Sequence, residues 1–326
     1  MEILGIDVSK AKLDCVWLRD PVNLKVKSKV FANTAAGHEA LLAWARKQAG
    51  VGAGELRCVM EATGIYHEGL AYALHAAGVQ VVVVNPAQLR DYAKSLGTRT
   101  KTDVRDALVI ARYGTTASLQ VWQPEPAEVR RLKALLGRLE AVKRDIQREL
   151  NRLEKAQITD TSAEVVASIE TVHRQLSEEK ARLEALIDDH IDQHPGLSQD
   201  RTLLESIPGV GPVIAQQMVA LLRSRAFTSA GQCAAFLGLV PVQHESGSSV
   251  RGRPHLSKAG NAALRAKLYM AAIVATRYNP DIRHQYQRLL RQGKCCMSAL
   301  GAAMRKLVHI CFGVLKHQTP YLPQAA

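Results

Sequence analysis

The hydrophobic period of this chain changes once along its 326 residues, near Trp122 to Pro126, and that change limits what it can fold into. Upstream, short runs rich in Val, Ile and Leu alternate with helical stretches, as in a layered α/β domain. Downstream, long charged segments carry an apolar residue every three or four positions, which suits extended helices packed side by side. An α/β part joined to a helical part is the expectation.

In the upstream part, Ile3 to Leu18 reads as a strand, a turn near Ser9 to Lys12 and a returning strand, and Val26 to Phe31 as a third strand of the same meander. Leu56 to Met60 and Val79 to Val84 are short apolar runs that suit central strands, each preceded by a helical segment. Three antiparallel strands followed by two α/β units is the RNase H-like order. The expected fold class is an α/β RNase H-like domain over residues 1–124, a coiled-coil helical hairpin over 125–196, and a mainly α-helical domain over 197–326.

Leu132, Leu136, Leu139, Ile146, Leu150 and Leu153 fall on the 4-3 spacing, with Lys143 its one polar occupant, and Ile169, Val172, Leu176, Leu183 and Leu186 resume it. The pattern lapses from Gln157 to Thr161, where Thr161 and Glu164 have capping-box spacing for a second helix. A linker is expected around His194 to Asp200. Further on, Gln243 to Asn261 reads as a long polar loop inside an otherwise apolar helical region, and such loops are commonly functional.

With 43 Lys and Arg against 30 Asp and Glu, the formal charge of +13 favours a polyanionic partner through long-range attraction and counterion release. No apolar run approaches the roughly 20 residues that span a bilayer, and the N-terminus lacks a signal-peptide layout, so no membrane partner and a cytoplasmic location are expected. Cys15, Cys58, Cys233, Cys295, Cys296 and Cys311 show no C-x-x-C spacing; neither disulfides nor structural zinc are expected, and Cys295 and Cys296 are expected to be buried. No H-E-x-x-H motif is present, so a catalytic metal is expected to be a hard cation on carboxylates.

Four acids fit that description. Asp7 sits inside the apolar strand Leu4-Gly5-Ile6-Asp7-Val8, where an ionised carboxylate costs several kcal/mol unless paired or metal-bound. Glu61 closes the run Cys58-Val59-Met60, at a strand's carboxyl edge, where open α/β sheets tend to bind ligands. Asp103 and Asp106 are three apart and share one face of a helix's first turn. Each has an ordinary alternative: Asp103 a cap, Asp106 a dipole partner, Glu61 a turn residue, Asp7 a hydrogen-bonded structural acid. Together they offer the hard oxygens that Mg²⁺ or Mn²⁺ takes. The Gly-Ile-Asp strand also begins sugar kinases and actin-like ATPases, but the glycine their phosphate hairpin needs is absent from Val8-Ser9-Lys10.

Ser206-Ile207-Pro208-Gly209-Val210-Gly211-Pro212 reads as a helix-hairpin-helix-like turn whose Gly209 and Gly211 amides are suited to a DNA phosphate, or else as a simple turn between helices. Glu245-Ser246-Gly247-Ser248-Ser249-Val250-Arg251-Gly252-Arg253 combines hydroxyls with guanidinium groups; Arg251, Arg253, His255 and Lys258 are candidate phosphate-binding cations. A serine attacking a phosphodiester needs a base or metal to take its proton and cations to stabilise the phosphorane. The chemistry does not choose among Ser246, Ser248 and Ser249, nor between a catalytic loop and a nucleic-acid anchor.

Taken in order, Gly5-Ile6-Asp7, Phe31-Ala32-Asn33-Thr34, Glu61-Ala62-Thr63-Gly64, Asn85-Pro86, Lys101-Thr102-Asp103 with Asp106, Ile207-Pro208-Gly209, Phe236-Leu237-Gly238-Leu239 and Glu245-Ser246-Gly247-Ser248-Ser249-Val250-Arg251-Gly252 resemble the DEDD transposases of the IS-one-ten type. These are bridge-RNA-guided recombinases of bacterial insertion sequences. The resemblance spans essentially the whole chain. It implies a RuvC-like domain with Asp7, Glu61, Asp103 and Asp106 as metal ligands, and selects Ser246 as the nucleophile of a covalent phosphoserine link to DNA. It further implies donor and target DNA, a structured non-coding RNA and a dimer of dimers as partners, with carboxylates and serine drawn from different subunits. Two rival expectations are a RuvC-like nuclease that hydrolyses DNA, with Ser246 as a phosphate anchor, and a non-catalytic nucleic-acid scaffold.

Overall fold

A computed structural model describes residues 1–62, 64–97, 102–116, 119–243, 245–246, 250–252 and 254–323, with backbone alone at 245, 246, 250 and 251. The chain divides into two compact units, Met1–Pro124 and Glu125–Ala326.

The first unit is built on strands β1 (Glu2–Val8), β2 (Lys12–Asp20), β3 (Lys25–Ala32), β4 (Leu56–Glu61) and β5 (Gln80–Val84). Their order is β3-β2-β1-β4-β5, with β1, β2 and β3 antiparallel and β1, β4 and β5 parallel, the arrangement expected of an RNase H-like sheet. The turn from β1 to β2 is closed by Ser9: its amide and hydroxyl both donate to Lys12 O, and its Oγ accepts from Lys12 N. Side-chain alternation splits the sheet into two faces. Leu4, Ile6, Val8, Leu13, Cys15, Cys58 and Met60 join one core with Leu41 of α1 (Ala35–Ala49) and Leu70 of α2 (Glu68–Ala76). On the opposite face, Val59, Val82 and Val84 pack with Leu89 of α3 (Pro86–Ser95) and Ile110 of α4 (Asp103–Thr116).

Helix α4 lies very close to β1. A Cβ on Gly5 would stand 2.2 Å from Ala107 O and 2.4 Å from Ala111 N, and one on Gly114 would stand 2.8 Å from Val59 Cγ2. The close approach fixes how far the first turn of α4 lies from the end of β1. Gly5→Ala is therefore expected to destabilise the first unit by about 1–3 kcal/mol, because backbone rather than a flexible side chain blocks the new methyl. Urea unfolding followed by circular dichroism measures this directly.

The second unit begins with the antiparallel pair α5 (Ala127–Ile158) and α6 (Ala163–Asp192). The 4-3 spacing survives only in part. Val129, Leu132, Leu136, Leu139 and Val142 are buried against Leu183, Ile187 and Ile191, so the seam reaches Val142 instead of Lys143. Lys143 reaches across to Glu184 at 3.0 Å, and Leu150 is exposed. Val142 follows Leu139 by three residues where the expected spacing asked for four, so the apolar residue takes the seam and Lys143 stands at its edge. Helix α6 begins one residue later than expected, with Ser162 at its cap position.

The same core continues into α7 (Pro195–Glu205), α8 (Pro212–Ser224), α9 (Ala230–Phe236), α10 (Ala262–Tyr278), α11 (Pro280–Arg291) and α12 (Cys296–His317). Four expectations change here. The stretch His194 to Asp200 is the start of α7, with Pro195 at its first position, where a missing amide costs nothing. Asp200 is fully buried, and the boundary expected between residues 196 and 197 falls inside this helix. Helix α12 is long and apolar enough to cross a membrane, contrary to the sequence reading, but Ala299, Ala303, Met304, Leu307, Val308, Cys311 and Val314 lie in the core of the second unit. Cys295 and Cys296 are exposed at its start, not buried, and a hydrogen bond to Ser298 lowers the Cys295 thiol.

Candidate active site

Strand register brings the first two acids together. Ile6 pairs with Met60, so the next residues, Asp7 and Glu61, leave neighbouring parallel strands side by side at the sheet's carboxyl edge. Both lie on the α4 face, since their chain neighbours Ile6, Val8 and Met60 fill the opposite core. The close contact at Gly5 sets Asp103 and Asp106, in the first turn of α4, near the same edge. Asp7 feels all of them: its carboxyl is pushed up to about 6, first by burial and then by the charges of Asp106, Asp103, Asp14 and Glu61.

Two members of this cluster escaped the sequence reading. Asp14, on β2, is directly opposite Asp7 in the antiparallel ladder and only 5% exposed. Lys12 sits between acids, 3.1 Å from Asp14 Oδ2 and 2.5 Å from Asp103 Oδ2, and these bonds raise its ammonium pKa. The signal for Asp14 was present, since Leu13-Asp14-Cys15-Val16 sets a charge in an apolar strand just as Leu4-Gly5-Ile6-Asp7 does. The alternative of Asp103 as a helix cap weakens: Thr102 Oγ1 accepts from Arg105 N at 3.4 Å, while the Asp103 carboxylate engages Lys12.

The donor set suits a hard divalent cation, being all carboxylate and under like-charge strain at Asp7. Among the described residues, however, no three His, Cys, Asp or Glu side chains stand close enough to hold a metal ion as they are. Lys12 is the positive charge found bridging two of the acids.

In the second unit, the polar segment expected as a loop carries two short antiparallel strand pairs among its described residues. Pro241–Val242 (β6) pairs with His255–Leu256 (β9), and Glu245–Ser246 (β7) pairs with Val250–Arg251 (β8), antiparallel in both cases. Polar residues on a two-stranded arm give no apolar alternation, so the strand pattern was invisible. The base of the arm is clamped: Arg265 Nη1 donates to Leu237 O, Ala259 O and Gly260 O, and Lys258 N donates to Gly238 O. Ser246 pairs with Val250 at the outer ladder. Gly247, Ser248, Ser249 and Arg253 lie outside the described residues, as do Thr63 and Lys101. Lys258 and His255 are exposed, and Lys258 adopts a left-handed φ of 55°.

The glycine turn between α7 and α8 divides its two candidate residues. Gly209 has φ +100°, and a Cβ there would stand 2.7 Å from Ala275 Cβ, so its bareness serves packing against α10. Gly211 opens α8 into open space, with nothing within 4 Å of where a Cβ would stand, and Val213 beside it is exposed.

Comparison with known proteins supplies the class. A family model described as Transposase, of the DEDD IS110 type, matches residues 4–163, and another, described as Transposase IS116/IS110/IS902 family, matches residues 201–287. A pilin gene-inverting protein of Moraxella bovis is 32% identical over 98% of this chain and 97% of its own length. A probable family 20 transposase of Pseudomonas aeruginosa is 27% identical over 81% of this chain and 85% of its own. Among solved structures, T. thermophilus RuvC in complex with Holliday junction substrate is similar over 37% of this chain and all of that one, at 18% identity and a TM-score of 0.27. The two family models and the full-length relative define a transposase, an enzyme that cleaves and rejoins DNA. More specifically, the chain belongs to the IS116/IS110/IS902 transposase family.

Proposed function

We propose that the chain is an RNA-guided recombinase of an insertion sequence, exchanging strands between donor and target DNA through a covalent link to Ser246. The observation that carries the site is the gathering of Glu61, Asp103, Asp106 and Asp14 around a half-buried Asp7, whose carboxyl is pushed up to about 6 first by burial and then by their charges. Asp7, Glu61, Asp103 and Asp106 would hold Mg²⁺ or Mn²⁺, which when bound supplies a Lewis acid for the scissile phosphate.

Ser246 Oγ attacks the phosphorus and gives up its proton; the bond to the 3′ oxygen breaks, leaving a 5′-phosphoserine and a 3′-hydroxyl that takes a proton. Attack by a 3′-hydroxyl of the other duplex reverses the step and frees the serine. Arg251, Arg253, His255 and Lys258 offer positive charge to the phosphate, and the Gly209–Gly211 turn offers amides to the DNA backbone. A formal charge of +13 suits the DNA and a structured guide RNA. Full-length similarity to a gene-inverting protein favours rejoining over hydrolysis, because inversion requires every break to be resealed.

Residues 1–124 would form the RuvC-like metal domain, and the unit from Glu125 onward would carry both the α5–α6 hairpin as a coiled-coil arm and the serine segment, working in the cytoplasm as a dimer of dimers. The outer half of the α5–α6 hairpin leaves Leu150, Ile158, Val165 and Val172 exposed, which suits association along that arm.

The test is a denaturing gel with labelled donor and target DNA, the element's flanking RNA and Mg²⁺. Wild type is expected to form a protein–DNA adduct, and Ser246→Ala and Asp106→Ala to form none. Cleaved DNA without any adduct would point instead to a hydrolytic nuclease.

A further inference from the structure

We propose that Asn33 is a positioning residue for the carboxylate site, tying the loop that follows Asp7 to the loop that follows Glu61 and so setting how tightly a divalent cation is held. The inference rests on the metal reading given under Proposed function.

Asn33 lies at the corner where β3 enters α1. Ala32 pairs with Lys12 in the ladder, and Asn33 N donates to Ala11 O at 3.0 Å, so the residue flanks the β1–β2 turn. Its side chain then spans two loops. Nδ2 donates to Ser9 O at 2.9 Å and to Tyr66 O at 3.0 Å. Ser9 is two residues beyond Asp7, and Tyr66 five beyond Glu61. One amide therefore links the exits of the two strands whose ends carry the acids, a connection that β1–β4 pairing, which runs only as far as Ile6 and Met60, does not extend to.

The orientation of the amide follows from its partners. Both carbonyls can only accept, so the nitrogen must face them, and Oδ1 is left facing His38 Nε2 at 2.8 Å. That contact requires the proton on Nε2. Burial lowers the His38 pKa and favours the neutral ring, which has one N–H to give. His38 is itself held in place by the corner: Thr34 Oγ1 accepts from Gly37 N, and a Cβ on Gly37 would stand 1.9 Å from Ala32 O. The sequence Asn33-Thr34-Ala35-Ala36-Gly37-His38 is thus a built unit in which each polar group serves the next. Groups that orient metal ligands from outside the coordination shell typically change metal affinity 10- to 100-fold when removed.

The experiment measures Mn²⁺ affinity by electron paramagnetic resonance on the full-length protein, at a temperature where circular dichroism shows each variant folded. Asn33→Asp, nearly identical in size but without the amide donors, and Asn33→Ala are expected to bind Mn²⁺ at least about tenfold more weakly than wild type. His38→Ala should show a smaller loss, and His38→Gln, which returns an N–H to the same oxygen, should regain most of it. A residue that served folding alone would lower the unfolding temperature in EDTA without moving the affinity of the folded protein. Should Asn33→Ala fail to fold, Asn33→Asp and His38→Ala carry the same comparison. Asn33 variants that fold and bind within threefold of wild type overturn the inference and leave the metal reading intact. A wild type that binds no better than Asp7→Asn overturns both.

Discussion

Asp7→Asn is expected to abolish DNA cleavage while making the metal-free protein harder to unfold. The two effects have one origin. Asp7 is a half-buried carboxylate facing four others, and both burial and like charge push its carboxyl up to about 6. At neutral pH it is ionised in the fold at a cost, because ionisation is easier in the unfolded chain. Asparagine keeps the shape and removes the charge. Discounted for the part of the group that water still screens, the gain is about 1 kcal/mol, or roughly 4 °C for a unit of this size. Cleavage should fall on the order of 10³-fold, since a buried site that loses a charged ligand loses transition-state stabilisation with it. Gel cleavage assays and calorimetry in EDTA measure the pair. Near-wild-type cutting would remove Asp7 from the site, and earlier unfolding would mean that the carboxylate is held by favourable partners.

Arg223→Ala should give the largest loss of stability in the second unit, about 3–5 kcal/mol, read as a fall of roughly 6–20 °C in unfolding temperature. Its partner Asp200 is completely buried on α7 and receives Arg223 Nε at 2.5 Å and Nη2 at 2.9 Å, with Gln318 Nε2 at 3.0 Å from beyond α12. This one carboxylate joins α7, α8 and the C-terminal segment. Removing the guanidinium leaves a buried charge with one neutral donor. Asp200→Ala should cost less, because Arg223 is partly exposed and can turn to water. The double variant Asp200→Asn, Arg223→Ala should recover part of the loss, as it leaves no buried charge. Lysine at 223 should rescue poorly, since it cannot offer a planar fork. Equal costs for the two single alanine variants would argue against this account.

Much of the first unit was legible in sequence because its elements are short and its periods distinct. The five strands fall close to their expected limits, and the apolar runs at Leu56 and Val79 are the parallel pair beside β1. Asp7 stood out for its energetic cost in an apolar strand; Asp14 carried the same mark, yet its place opposite Asp7 depends on a register set by the Ser9 turn. Lys12 gave no sign at all, because a lysine at a turn is usually solvated. The strand pair around Ser246 was read as a loop, and α7 as a linker, since polar ladders and helix starts after proline leave little hydrophobic pattern.

The sequence by itself determined the two kinds of architecture, the acids and hydroxyls available for chemistry, and the family, because hydrophobic period and residue order are local properties of the chain. Only the tertiary structure decided which of those groups meet. Strand register set Asp7 beside Glu61 and opposite Asp14, the bare Cα of Gly5 let α4 bring Asp103 and Asp106 down onto the sheet, and the Asn33 amide joined two loops more than thirty residues apart in the chain. Such meetings depend on distances across the fold, which packing fixes and local sequence does not encode.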